Sequence, residues 1–190
     1  MGTLVISTNM SLDGVVEDPD GAEGSPAGGW FRESGGADLD EWATLVAAEA
    51  VRAEALLLGR RSDGWFASRW TDRTGEWADR LNGMPKYVVS STLTAGRWGN
   101  STVLSGSLTE EVATLKRELD GEILIYASRR LGQALLEHDL VDELRLFVFP
   151  VVLGAGARLL GETSGRTPLH LLESRAVGDG LAFLRYGRAA

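Results

Sequence analysis

Leu56-Leu57-Leu58-Gly59-Arg60-Arg61-Ser62 is the stretch on which the reading of this chain depends. Ala55 to Leu58 is a short unbroken apolar run, the pattern of a buried strand, and it stops abruptly at Gly59. Arg60, Arg61 and Ser62 then open a helical piece that carries Trp65 and Phe66. Glycine at such a corner lets a ligand approach the backbone, the free N–H groups of a helix start favour an anion, and two guanidiniums can clasp phosphate oxygens. The plain alternative is an ordinary strand-to-helix turn with solvated arginines.

The same design recurs twice downstream. Lys86, Tyr87, Val88 and Val89 form a strand that ends in Ser90, Ser91 and Thr92, three hydroxyls able to donate to a phosphate or ribose, or simply to cap a turn. Glu122 to Tyr126 is the next strand, and Ala127, Ser128, Arg129, Arg130 and Leu131 again give a small-residue turn and a helix start with two arginines. Three strand ends built alike are harder to dismiss than any one of them.

Outward from these, Leu4, Val5 and Ile6 mark a first strand between Thr3 and Thr8, closed by turn residues from Ser11 to Gly14. Glu17 to Gly36 is a long glycine-rich stretch read as an irregular loop, and Trp30 and Phe31 within it argue for a functional loop over a disordered insertion. Asp38 or Asp40 caps the helix that follows, where Trp42, Leu45, Val46 and Glu49 recur at helical spacing. Val103 and Leu104 form a short strand, and a helix follows from Ser107 with Val112, Leu115 and Leu119 on one side and Gly121 as its stop. Leu131, Leu135 and Leu136 line a helix ending near His138. Asp142 to Val152 alternates Leu144, Leu146 and Val148 against Arg145, Phe147 and Phe149, a two-faced strand. Leu169 to Arg188 reads as a hairpin about Gly178, Asp179 and Gly180.

Strands alternating with helices predict an α/β fold, a mixed and mostly parallel central sheet with flanking helices, and the terminal hairpin adds an antiparallel edge. Nothing divides residues 1–190, so one domain is expected, and its ligands should gather at the carboxyl ends of the strands.

Composition narrows the function. The 190 residues, 44% hydrophobic and 24% charged, are ordinary globular chemistry, sufficient for one sizeable core. The absence of cysteine excludes disulfides, a thiolate nucleophile and a zinc–cysteine site, and no metal site is expected from two histidines. A net charge of -8 repels a polyanion, so a phosphate-bearing small molecule fits better than nucleic acid. No apolar stretch reaches the roughly 18 residues of a membrane helix, and the N-terminus lacks a basic region, so a cytoplasmic protein is expected. A G-x-G-x-x-G after the first strand, a P-loop and a G-x-S-x-G elbow are all missing. For acid–base chemistry the candidate is Asp13, in Met10-Ser11-Leu12-Asp13-Gly14, whose plain role would be a turn-forming aspartate; Asp38, Asp40 and Glu41 are rivals with capping as their plain role.

Ser11-Leu12-Asp13-Gly14, Leu57-Leu58-Gly59-Arg60-Arg61-Ser62, Pro85 to Thr92, and Leu140-Val141-Asp142-Glu143-Leu144 leading into Pro150 to Gly156 resemble, in order and spacing, the bacterial dihydrofolate-reductase-like family that includes the reductase domain of riboflavin biosynthesis. The resemblance runs over nearly the whole chain. It implies NADPH lying across the strand ends, with Gly59, Arg60, Arg61 and Ser62 on its phosphates, Ser90, Ser91 and Thr92 on the adenosine 2′-phosphate side, and Ala127, Ser128, Arg129 and Leu131 at the pyrophosphate. It also implies a homodimer. Where the family commonly carries adjacent glycines, this chain has Ala127 and Ser128 with arginines behind them.

The expected activity is hydride transfer from NADPH to a small heterocyclic or imine-like substrate such as a pterin or pyrimidine, as in a 5-amino-6-(5-phosphoribosylamino)uracil reductase. Asp13 or a bound water would supply the proton, and Ser11, Trp30, Phe31 and Trp42 would bound the substrate. The rivals are a nucleotide-binding protein that keeps the fold without the reaction, and a structural dimerising domain using the edge of the C-terminal hairpin.

Overall fold

The computed structural model describes residues 1–161 and 165–189. The strand β1 (Thr3–Ser11) is followed by α1 (Trp30–Gly35), a 3-10 turn (Gly36–Asp38) and α2 (Leu39–Arg52). Next come β2 (Ala53–Gly59), α3 (Arg60–Trp70), α4 (Glu76–Gly83), β3 (Lys86–Val89) and β4 (Ser101–Leu104). The chain continues through α5 (Leu108–Glu118), β5 (Glu122–Tyr126), α6 (Arg129–Glu137) and β6 (Glu143–Phe149), and ends in the hairpin β7 (Leu169–Val177) and β8 (Leu181–Arg188). All eight strands join one sheet in the order β4-β3-β2-β5-β1-β6-β8-β7, parallel through β6 and antiparallel at the hairpin. The expected mixed sheet with an antiparallel edge is therefore the observed one.

Because side chains alternate across a strand, the apolar runs of the central strands supply two cores. Val5, Leu56, Leu58, Leu124, Phe147 and Phe149 pack with the aromatic residues of α1 to α4. Leu4, Ile6, Ile123, Ile125, Leu144 and Leu146 pack on the opposite face with Val112 and Leu115 of α5 and Leu131 and Leu135 of α6. Asp142 closes the second layer, since its Oδ2 accepts both the Leu4 N–H at 2.7 Å and the buried Lys116 ammonium at 2.6 Å.

Several boundaries differ from expectation for physical reasons. β1 runs on to Ser11 because β6 pairs with it as far as Phe149. The stretch Glu17 to Gly36 is not wholly irregular: Gly29, at φ 85, turns the chain into α1, which places Trp30 in the core at 2% exposure. Asp38 precedes α2 without capping it through its side chain. Its carboxylate instead accepts the Asp179 and Gly180 N–H groups at 3.1 and 2.8 Å, while Glu41 accepts that of Gly178 at 2.8 Å. These two acids hold the hairpin turn against α2. Outside, β7 is an open edge, with Leu169, Leu171 and Leu172 exposed.

Candidate active site

β3, β2 and β5 are neighbours in the sheet, so the three arginine- and hydroxyl-rich corners stand side by side. They are also bonded to one another. Ser128 Oγ accepts the Gly59 N–H at 3.0 Å, and the buried Ser62 Oγ accepts the Ser128 N–H at 3.0 Å. Arg60 Nη1 donates to Thr92 Oγ1 at 3.0 Å. Ser90 Oγ accepts from the Thr92 and Leu93 N–H groups at 3.2 and 3.1 Å, so the Ser90-Ser91-Thr92 turn caps itself and leaves Ser91 and Thr92 at the surface.

Ala127 and Ser128 both lie in the left-handed region, at φ 51 and 53. That conformation costs a residue with a Cβ about 1–2 kcal/mol and is routine only for glycine, so the turn keeps a glycine-like backbone without glycines. The pair directs the chain into α6, whose first N–H groups have no intrahelical acceptor. A Cβ on Gly59 would meet nothing nearer than Ser128 Oγ at 3.9 Å, which leaves the corner open to a ligand. Arg60, Arg61 and Arg130 are exposed around it. Arg61 pairs with Glu23 at 3.2 Å and Arg129 donates to Gln133 at 3.0 Å. The Leu131 side chain belongs to the core, so only its backbone faces this corner.

The residues expected at the substrate side divide. Asp13 and Ser11 do not fit a catalytic acid and a substrate ligand. Ser11 is wholly buried, donating to Asp13 Oδ1 at 2.7 Å and accepting the Val15 N–H at 2.9 Å. Asp13 also accepts the Leu153 and Gly154 N–H groups at 3.1 and 2.9 Å and pairs with Arg158 at 3.2 Å. The Ser11 hydroxyl and then the Leu153 amide outweigh its partial burial and hold the Asp13 carboxyl down to about 2, so it carries no proton near neutrality. The two residues clamp the turn after β1 to the loop after β6.

Trp30, Phe31 and Trp42 do come together. Phe31 meets Trp42 edge-on at 4.8 Å and Phe149 at 5.2 Å, and Trp42 donates its indole N–H to Asn9 Oδ1 at 2.7 Å. Trp30 is a core residue, edge-on to Phe149 at 5.3 Å with its indole bonded to the Glu17 carbonyl, so it supports the group from behind and leaves only Phe31 and Trp42 half-buried beside β1. Asn9 joins this neighbourhood unannounced. The one visible signal was a polar residue at an inward position of an apolar pattern. The loop from Glu17 to Gly29 is organised by the buried Asp18, whose carboxylate accepts the Glu23 and Ser25 N–H groups at 2.9 Å each, and Asp20 ties it to Arg69 of α3 at 2.9 Å.

Comparison with known proteins gives this geometry a setting. A family model described as the RibD C-terminal domain matches residues 2–183. The "Uncharacterized protein YyaP" of Bacillus subtilis (strain 168) is 29% identical over 139 residues, which are 70% of this chain and 73% of that protein. Among solved structures, a "Putative riboflavin biosynthesis protein" from Shewanella sp. PV-4 superposes with a TM-score of 0.78 at 24% identity, covering 99% of both chains. Dihydrofolate reductase from Enterococcus faecalis, complexed with NADP(H), superposes with a TM-score of 0.59 at 12% identity, covering 99% of this chain and 97% of that one.

Proposed function

The chain belongs to the RibD C-terminal domain family, and from that premise we propose that it is an NADPH-dependent reductase of a small heterocyclic or imine-like substrate, a pyrimidine or pterin. The observation that carries this reading is the bonding of three neighbouring strand ends through Gly59, Ser62, Ser128, Arg60 and Thr92. The corner suits a phosphate-bearing nucleotide: it combines an open glycine, a helix start and exposed guanidiniums on a chain of net charge -8.

In this reading Gly59, Arg60, Arg61 and Ser62 hold the cofactor's phosphates, Ser91 and Thr92 hold the 2′-phosphate side, and the backbone from Ala127 to Leu131 holds the pyrophosphate. NADPH supplies the hydride when bound. Phe31 and Trp42 flank a flat substrate, and the aromatic group excludes water from it. Orientation provides most of the acceleration. With Asp13 committed to its clamp, water delivers the accompanying proton. A homodimer in the cytoplasm belongs to the same reading, with the open β7 edge as the contact surface; no helix among the described residues is long and apolar enough to cross a membrane.

The ionised clamp of Asp13 also favours a second reading, a nucleotide-binding protein without turnover, because it removes the acid expected beside the substrate. Titration with NADPH and NADH, followed by quenching of the six tryptophans, tests the common part. Absence of quenching by either rejects both readings. NADPH oxidation with pyrimidine imines and pterins then separates reductase from binder.

A further inference from the structure

Glu49 lies on the sheet-facing side of α2 and is 2% exposed. Its Oε2 accepts the Ser7 hydroxyl at 2.8 Å, but among the described residues the buried Oε1 has no hydrogen-bond partner, and neither has the buried Tyr126 hydroxyl. Ser7 and Tyr126 are partners in the β1–β5 register, which brings both under the same helix.

The strand charges that face this group come from β5, β6 and β8. Arg145 of β6, 3% exposed, grips Glu122 of β5 at 3.0 and 2.7 Å and Glu143 at 2.6 Å. Arg185 of β8 closes on Glu143 at 2.7 and 2.8 Å. Two guanidiniums thus already balance two carboxylates, and Glu49 Oε1, at 3.6 Å from Arg145 Nη1, is the surplus acid. On the helices, Arg52 bears on Glu49 from an exposed position where water screens it, and Arg80 of α4 is spent on the Ala50 and Ala53 carbonyls.

An unbalanced buried anion is destabilising, and binding a proton removes that cost. Burial accordingly raises the Glu49 pKa against the pull of Arg145 and Ser7. Burial pushes the Tyr126 phenol well above its ordinary range, so it keeps its own proton.

We propose that Glu49 is kept as the uncharged acid, with its proton on Oε1 shared with the Tyr126 hydroxyl, and that this shared proton positions the end of β5 on which the Ala127-Ser128 turn is built. Tyr126 is the last residue of β5 and the next two residues are the left-handed pair. An ionised Glu49 would be drawn toward Arg145 and away from Tyr126, loosening the first anchor of that turn. Glu49 is thus a positioning residue, acting on the cofactor corner through Tyr126; this second step rests on the cofactor reading given above.

Infrared difference spectra of the folded proteins test the proton directly. At neutral pH the wild type should show a protonated-carboxyl C=O band that Glu49→Gln lacks and that moves to higher wavenumber in Tyr126→Phe. If Glu49→Gln removes no such band, Glu49 is ionised and the proposal is overturned; a band unmoved in Tyr126→Phe overturns the sharing. Tryptophan quenching by NADPH tests the link to the corner. Wild-type affinity should weaken as pH rises, whereas Glu49→Gln, whose amide cannot ionise and still donates to Tyr126, should show no such loss. An equal loss in Glu49→Gln overturns the link. Failure of both proteins to bind NADPH at every pH rejects the cofactor reading and the link together, while the infrared result still decides where the proton resides.

Discussion

Ser128 Oγ accepts the backbone N–H of Gly59 at 3.0 Å, so one serine ties the turn after β5 to the turn after β2. Replacement by alanine leaves the Gly59 amide without that acceptor and should lower unfolding free energy by about 1 kcal/mol, read by urea titration. NADPH affinity should fall with it. Ala127→Gly acts in the opposite direction on stability, because it relieves a left-handed residue of its Cβ and should stabilise by about 1 kcal/mol.

Arg60 is the guanidinium bonded to Thr92 across the gap between β2 and β3. Arg60→Ala should weaken NADPH binding by about tenfold, equivalent to about 1.4 kcal/mol, and NADH binding by less, since only the former carries the extra phosphate. Equal losses for both dinucleotides would place Arg60 away from the 2′-phosphate.

Asp13 ionises more readily in the fold than in the unfolded chain, its pKa lying at about 2 against a reference of 3.8. Its contribution to stability is therefore complete above the unfolded value and is lost as pH falls through the folded one. Asp13→Asn should flatten the stability change across that acid window and remove no titration step near neutrality from turnover. A neutral-pH limb of the activity profile that vanishes in Asp13→Asn would restore Asp13 as the proton donor.

Arg145 is the shared cation of the buried cluster. Its own pKa is raised even though burial opposes this, because the hydrogen bonds it donates to Glu122 and Glu143 favour the charged form. Burial would likewise raise Glu143, but hydrogen bonds from Arg185 and Arg145 overcome it and bring its pKa down. Arg145→Met strands these carboxylates and should cost about 3–5 kcal/mol in chemical denaturation. A second change, Glu122→Gln, should recover part of that loss.

The fold was legible where a local pattern reports its own surroundings. Leu56 to Leu58 and the alternation from Leu144 to Phe149 announce burial on two faces, and the observed cores match them. The six-residue α1 was not legible, because a helix that short, entered through Gly29 and left at Gly36, shows no periodicity. That three strand ends share one arginine- and hydroxyl-rich design could be read because each corner follows its own strand directly. Asp13, Asp38 and Glu41 could not, since their partners at Leu153, Gly154 and the turn from Gly178 to Gly180 lie well over a hundred residues away in sequence. Glu49 sat in plain view at helical spacing. Its importance comes from a tally of charges contributed by three strands, which no local window contains.

β1 is made before the other strands of this sheet yet lies between β5 and β6, which follow much later in the chain. A chain emerging from the ribosome therefore carries its most central strand with both edges bare until residues 122–126 and 143–149 have been added. Synthesis must outrun aggregation over that interval, and a stall before β6 would release a fragment whose stickiest segment has nowhere to go.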